Sequence, residues 1–156
     1  GLAAGAFVAL HPGTSDHGAE KRWPVESFAS LARGIARELR RPVLVTWGPG
    51  EEDLAERVCA LSEGAARSAP RTASLLELVE LLRLAAVFVS ADTGPMHLAV
   101  AAGVPCVALF GPKDPAVYGP YGAAHVVLRP PCGSRVTADI AVADVLAAVA
   151  TRTGTA

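Results

Sequence analysis

The run Ala86-Val87-Phe88-Val89-Ser90-Ala91-Asp92-Thr93-Gly94-Pro95-Met96-His97 decides how this chain is read. Its first six residues are apolar or small and suit a strand buried on both faces. Asp92, Thr93 and Gly94 break the run. Pro95 then stands where a helix can begin, because the first turn has no use for its missing N–H. A short helix over 95–102 is expected, ended by Gly103, with a second buried strand over 105–110. Strand, tight turn, helix, strand is the repeating unit of a parallel sheet.

The same alternation extends in both directions. Residues 6–11 read as an apolar strand, 12–23 as a polar loop, and Pro24 opens a helix whose stripe Phe28, Leu31, Ile35, Leu39 has helical spacing. A β-branched strand over 42–47 is broken by Gly48-Pro49-Gly50. A helix over 51–62 follows, with Leu54, Val58 and Leu61 on one face, and then a weak strand over 66–69. Ser74 with Glu77 three residues on forms a capping box for a helix reaching about Leu84. Beyond the quoted run come a Gly/Pro-rich loop, a short strand over 125–128 and a helix over 139–150. The expectation is an α/β, Rossmann-like, doubly wound parallel sheet of about six strands in the order 3-2-1-4-5-6. Residues 1–150 would form the domain and 151–156 a frayed tail.

Composition narrows the function classes. The chain has 156 residues, enough for one core, and its net charge of -1 offers no basic field to a nucleic acid. Its 3 cysteines, Cys59, Cys106 and Cys132, lie far apart, which argues against a disulfide framework or a structural zinc site and fits a reducing cytosol. The opening residues do not read as a signal peptide. The longest uncharged run, 93–112, is interrupted by glycines and prolines and is not expected to span a membrane. A cytoplasmic location is therefore expected. Asn and Gln are absent and Arg far outnumbers Lys, so the two lysines, Lys21 and Lys113, stand out.

In the expected strand order the first and fourth strands are neighbours, and ligands bind outside their carboxyl ends. The unusual residues follow those two strands. At 92–97, free backbone donors and the helix dipole favour an anion such as a diphosphate, with Thr93 adding a hydroxyl and Gly94 allowing close approach. Asp92 repels phosphate, so it suits sugar hydroxyls or the orientation of His97; Asp92 or Thr93 could equally serve only as a helix cap. In the first loop, His11-Pro12-Gly13-Thr14-Ser15 can wrap a phosphate and Lys21 can neutralise it, or the segment is an ordinary polar turn. After the second strand, Glu51 is placed where this fold commonly holds ribose hydroxyls, although a glutamate there also favours the helix start. Trp23 and Pro24 read as packing, His17 as a solvated loop residue, and His125 as a strand residue without function. The loop 110–122 could line the sugar side of a cleft or be a packed turn. No G-x-G-x-x-G, Walker sequence or metal-binding spacing is present.

Four segments together resemble one family: His11-Pro12-Gly13 with Lys21-Arg22-Trp23-Pro24, the helix start at 48–52, Asp92-Thr93-Gly94-Pro95-Met96-His97-Leu98-Ala99, and Leu109-Phe110-Gly111-Pro112 with Asp114-Pro115. Their order and spacing are similar to the C-terminal domain of glycosyltransferase family nine, the ADP-heptose:lipopolysaccharide heptosyltransferases. The resemblance covers about residues 7–121 and, more weakly, 140–149. It implies a GT-B-type enzyme of two facing Rossmann-like domains, of which this chain is the half that binds ADP-heptose. Lys21 would then meet phosphate, Glu51 the ribose and Asp92 the heptose side, while Thr93, Gly94 and His97 complete the diphosphate site with Thr14 and Ser15. The catalytic base and the lipopolysaccharide-core acceptor would belong to an N-terminal domain that nothing here matches, so the chain reads as a separated half, inactive alone. The full-length enzyme would work in the cytoplasm or at the inner face of the inner membrane, without a metal. The rivals are another nucleotide-sugar enzyme of similar fold, such as a transferase with a different donor or an epimerase, and a non-catalytic nucleotide-binding module.

Overall fold

The computed structural model describes Gly5, residues 7–14 and residues 20–154. Six strands form one sheet: β1 (Phe7–His11), β2 (Val43–Val45), β3 (Ala66–Ser68), β4 (Ala85–Ala91), β5 (Cys106–Leu109) and β6 (Val126–Leu128). Every neighbouring pair is parallel and the order is β3-β2-β1-β4-β5-β6, as the sequence implied.

The central strands are apolar on both faces because both faces are covered. Successive side chains alternate between two cores. Val8, Leu10, Val87, Val89, Val107 and Leu109 point to one core, which is closed by α1 (Val25–Gly34), α2 (Glu52–Leu61) and α6 (Val142–Thr153). Phe7, Ala9, Phe88, Cys106 and Ala108 point to the other, which is closed by α3 (Leu75–Arg83) and α4 (Gly94–Ala101). The helices thus change face after β3, and β1 and β4 become the neighbours at the switch point.

Several boundaries differ from the sequence reading for visible reasons. The stripe from Phe28 to Leu39 is one apolar face, but the last five residues, Ile35–Leu39, are wound as a π-helix and end at Arg40 in the left-handed region, φ 54. Pro24 is the residue before α1 rather than its first residue; its carbonyl accepts from the N–H groups of Ser27 and Phe28. Residues 137–139 are a separate 3-10 turn, so α6 begins at Val142. The tail expected to fray from 151 is instead helical through Thr153. The Thr151 and Thr153 hydroxyls donate to carbonyls one turn back, Arg41 reaches the Thr153 carbonyl at 3.1 Å, and Gly154 ends the helix at φ 70. Among the described residues no helix is long and apolar enough to cross a membrane.

Trp23 fixes the loop that carries Lys21. Its ring is buried, stands edge-on to Phe28 at 5.0 Å, and its Nε1–H donates to the Ile140 carbonyl at 2.9 Å. The loop after β5 is held by the same region. Arg135 donates to the Pro112 carbonyl at 2.8 Å, and a side chain at Gly111 would run into the Thr137 hydroxyl. These contacts bring the two lysines to the same end of the sheet.

Candidate nucleotide-sugar site

A cleft of about 720 Å³ opens at the carboxyl ends of the strands. His11, Gly13, Thr14 and Lys21 reach it from beyond β1, Trp47, Gly48 and Glu51 from beyond β2, and Thr72 to Leu75 from beyond β3. Asp92 to Pro95 and His97 enter from beyond β4, and Lys113 and Tyr118 from beyond β5. All seven described site candidates, Thr14, Lys21, Glu51, Asp92, Thr93, Gly94 and His97, therefore line one space. Ser15 and His17 lie outside the described residues.

Asp92 is the centre. Its side chain is only 9% exposed, and its Oδ2 accepts from Lys21 Nζ at 2.9 Å with Lys113 Nζ at 3.4 Å. His97 Nε2 stands 3.7 Å from the other oxygen. Two ammonium groups on one carboxylate leave this point of the cleft net positive, although the chain as a whole is slightly acidic. The repulsion between Asp92 and a phosphate, read from the residue alone, is thus offset locally. Lys113 also lies over the Tyr118 ring, 4.2 Å from its centroid, a cation–π contact that holds the ammonium at the mouth of the cleft.

Thr93, not Asp92, is the N-cap of α4; its hydroxyl accepts from the Met96 N–H at 3.4 Å. Asp92 is thereby released from a capping role. A side chain built at Gly94 would meet nothing within 4 Å, so the backbone at this helix start is open to the cleft. Open N–H groups at a helix start favour an anion. Thr14 is buried and accepts from Arg22 Nε at 2.8 Å, which ties the first loop to the strand end.

Glu51 precedes α2 but turns back rather than capping it. Its Oε2 accepts from the Gly48 N–H at 2.8 Å and lies 3.5 Å from His11 Nε2. The carboxyl group fills a slot that only glycine leaves open, since a Cβ at Gly13 would sit 2.2 Å from it. His11 itself is buried at the end of β1, with Nδ1 3.1 Å from the Thr46 hydroxyl. Burial pushes its pKa below the usual histidine value, partly opposed by the nearby Glu51 charge and by a hydrogen bond with the Thr46 backbone. Sequence reasoning gives no individual role to His11, Thr46 or Lys113. For Lys113 a signal existed, the scarcity of lysine. For His11 and Thr46 the link is a sheet register that pairs Leu10 with Val45.

Residues 3–139 match the family model described as glycosyltransferase family 9 (heptosyltransferase). The chain belongs to glycosyltransferase family 9. Among its relatives, lipopolysaccharide heptosyltransferase 1 of Escherichia coli K12 is 36% identical over 126 residues, covering 80% of this chain and 37% of that protein. The enzyme of the same description from Pseudomonas aeruginosa is 38% identical over 109 residues, covering 69% and 30%. The matched part of this family 9 chain therefore spans about a third of the length of such relatives. Among solved structures, E. coli heptosyltransferase WaaC with ADP superposes with a TM-score of 0.83 at 27% identity, covering 97% of this chain and 46% of that one. A family 9 glycosyltransferase of Veillonella parvula gives the same TM-score at 26% identity, with 96% and 46% covered. The all-parallel sheet of this family 9 member is thus one half of a GT-B-type fold.

Proposed function

We propose that the chain is the donor-binding half of a heptosyltransferase that moves heptose from ADP-heptose to the lipopolysaccharide inner core. The observation that carries this reading is Asp92 held between Lys21 and Lys113 beside the open start of α4. That arrangement offers cations and backbone donors to a diphosphate and a carboxylate to the sugar attached to it. The relation to a heptosyltransferase solved with ADP supports ADP-heptose as that donor.

Transfer breaks the bond between the anomeric carbon and the diphosphate through an oxocarbenium-like transition state. Negative charge grows on the leaving diphosphate. Preorganised positive charge is worth most at that point, and Lys21, Lys113 and the α4 N-terminus are assigned to supply it, without a metal ion. Asp92 is assigned to the heptose hydroxyls, Glu51 to the ribose, and Thr14, Ser15, Thr93, Gly94 and His97 to the remainder of the donor. The acceptor hydroxyl needs a base within hydrogen-bond reach, and the proposal places that base and the acceptor site in a second domain of the full-length enzyme. The work would be done in the cytoplasm or at the inner face of the inner membrane.

The test compares the full-length protein with the 156-residue chain, each given ADP-heptose and a heptose-deficient lipopolysaccharide core. The full-length protein should release ADP and extend the core, and the chain should bind the donor without transfer. Steady transfer by the chain alone, or none by the full-length protein, rejects the proposal.

A further inference from the structure

His11 is a buried titratable group beneath the cleft to which the proposed reaction gives no part. Its two ring nitrogens have different surroundings: Nδ1 faces the Thr46 hydroxyl at 3.1 Å, and Nε2 faces Glu51 Oε2 at 3.5 Å. The Thr46 hydroxyl has one proton and two acceptors in reach, His11 Nδ1 and the Leu10 carbonyl at 3.2 Å. The Leu10 carbonyl is already satisfied by the Thr46 N–H at 2.8 Å. If the hydroxyl proton went to Leu10, a neutral imidazole would have to carry its proton on Nδ1 and turn the Nε2 lone pair on a carboxylate. If the hydroxyl donates to Nδ1, the ring proton sits on Nε2, on the side where Glu51 Oε2 lies at 3.5 Å, and no lone pair is turned on the carboxylate. Burial disfavours the doubly protonated ring.

We propose that His11 is a positioning residue: as its neutral Nε2–H tautomer it tethers Glu51 Oε2, so that Oε1 is presented to a vicinal diol of the ligand in the cleft. The Gly48 N–H meets the same oxygen, and among the described residues no donor reaches Oε1. The slot left by Gly13 admits the carboxyl group, and both residues line the cleft. Glu51 would otherwise be a first-turn glutamate free to sample rotamers. The tether fixes its acceptor before the ligand arrives, which lowers the cost of ordering it on binding. The ligand half of this inference rests on the donor reading above; the tautomer does not.

Two measurements test it. Nitrogen-15 NMR of the wild-type chain, with the His11 signals identified by their loss in His11→Phe, reads the tautomer directly. A neutral ring protonated at Nε2 is expected near neutral pH; a ring protonated at Nδ1, or an imidazolium, overturns the tether. Calorimetry then compares ADP with its 2′,3′-dideoxy analogue. His11→Phe should weaken ADP roughly tenfold, as loss of a bond to a charged group does, and leave the dideoxy analogue unchanged. His11→Gln, whose amide can still donate towards Glu51, should recover most of the loss. In a Glu51→Ala background, His11→Phe should have little further effect, because its role runs through Glu51. Equal weakening of both ligands, or effects that simply add to those of Glu51→Ala, contradicts the proposal. If the wild type binds no ADP, the donor reading and the diol half fall together, while the NMR still decides the tether.

Discussion

Lys21 Nζ lies 2.9 Å from Asp92 Oδ2, although the two residues are 71 positions apart in the chain. The pair bridges the loop after β1 and the end of β4, the two sites that define the switch point. Neither side chain is well exposed, so their attraction is only weakly screened. In the donor reading the pair divides on binding, Lys21 turning to diphosphate and Asp92 to sugar.

The two residues should accordingly fail in different ways. Lys21→Ala should weaken ADP and nucleotide-sugar alike, by about 1.5–3 kcal/mol for a lost charged hydrogen bond. Lys21→Arg should recover little, since a planar fork does not occupy the space of an ammonium. Asp92→Ala should weaken the nucleotide-sugar but leave ADP unchanged or improved, because it frees both Lys21 and Lys113. Calorimetry with both ligands, run beside thermal melts, checks this. Full nucleotide-sugar affinity in folded Asp92→Ala protein would remove Asp92 from the sugar site.

Gly13→Ala probes the slot around Glu51. The new methyl group would collide with the Glu51 carboxyl, which is the mobile end of a side chain and can be displaced. Folding should lose only about 1 kcal/mol, the worth of the bond from Gly48 N–H. ADP should bind about tenfold more weakly for want of its ribose acceptor, while pyrophosphate should be unaffected. Thermal melts and titrations with both ligands read the outcome; unchanged ADP affinity would show that Glu51 does not need this seat.

Acid should destabilise the fold through His11 and His125. Burial is the leading cause holding His11 below its ordinary pKa of 6.5. The same cause, followed by the charge of Arg152, lowers His125. Below about pH 6.5 the unfolded chain therefore binds more protons than the folded one, so stability falls with pH until the lowered folded pKa is passed. Melting temperature should drop between about pH 7.5 and pH 5, and His11→Phe should flatten that slope. A melting temperature that rises on acidification over this window would contradict the assignment.

The sheet was legible because its central strands are short apolar runs punctuated by Gly, Pro and caps, and their order follows from the alternation with helices. Ser74 capping α3 through Glu77 N–H was readable from local spacing alone. The helix cap at 92–93 was not, since Asp and Thr are both good N-caps and only the backbone shows that Thr93 takes the place. The convergence of Lys21 and Lys113 on a single oxygen of Asp92 could not be read either. It depends on Trp23 and Arg135 anchoring two separate loops. Likewise, His11 meets Thr46 only because the register sets Leu10 beside Val45. Local chemistry announces elements and candidates; pairing across the sheet decides which candidates meet.

The most direct test of the donor assignment is a calorimetric titration of this chain with ADP, UDP and GDP under one buffer and salt. ADP should bind most tightly of the three. Equal or weaker affinity for ADP would contradict the ADP-heptose assignment and leave the cleft between Lys21, Glu51 and Asp92 as a site for some other nucleotide donor.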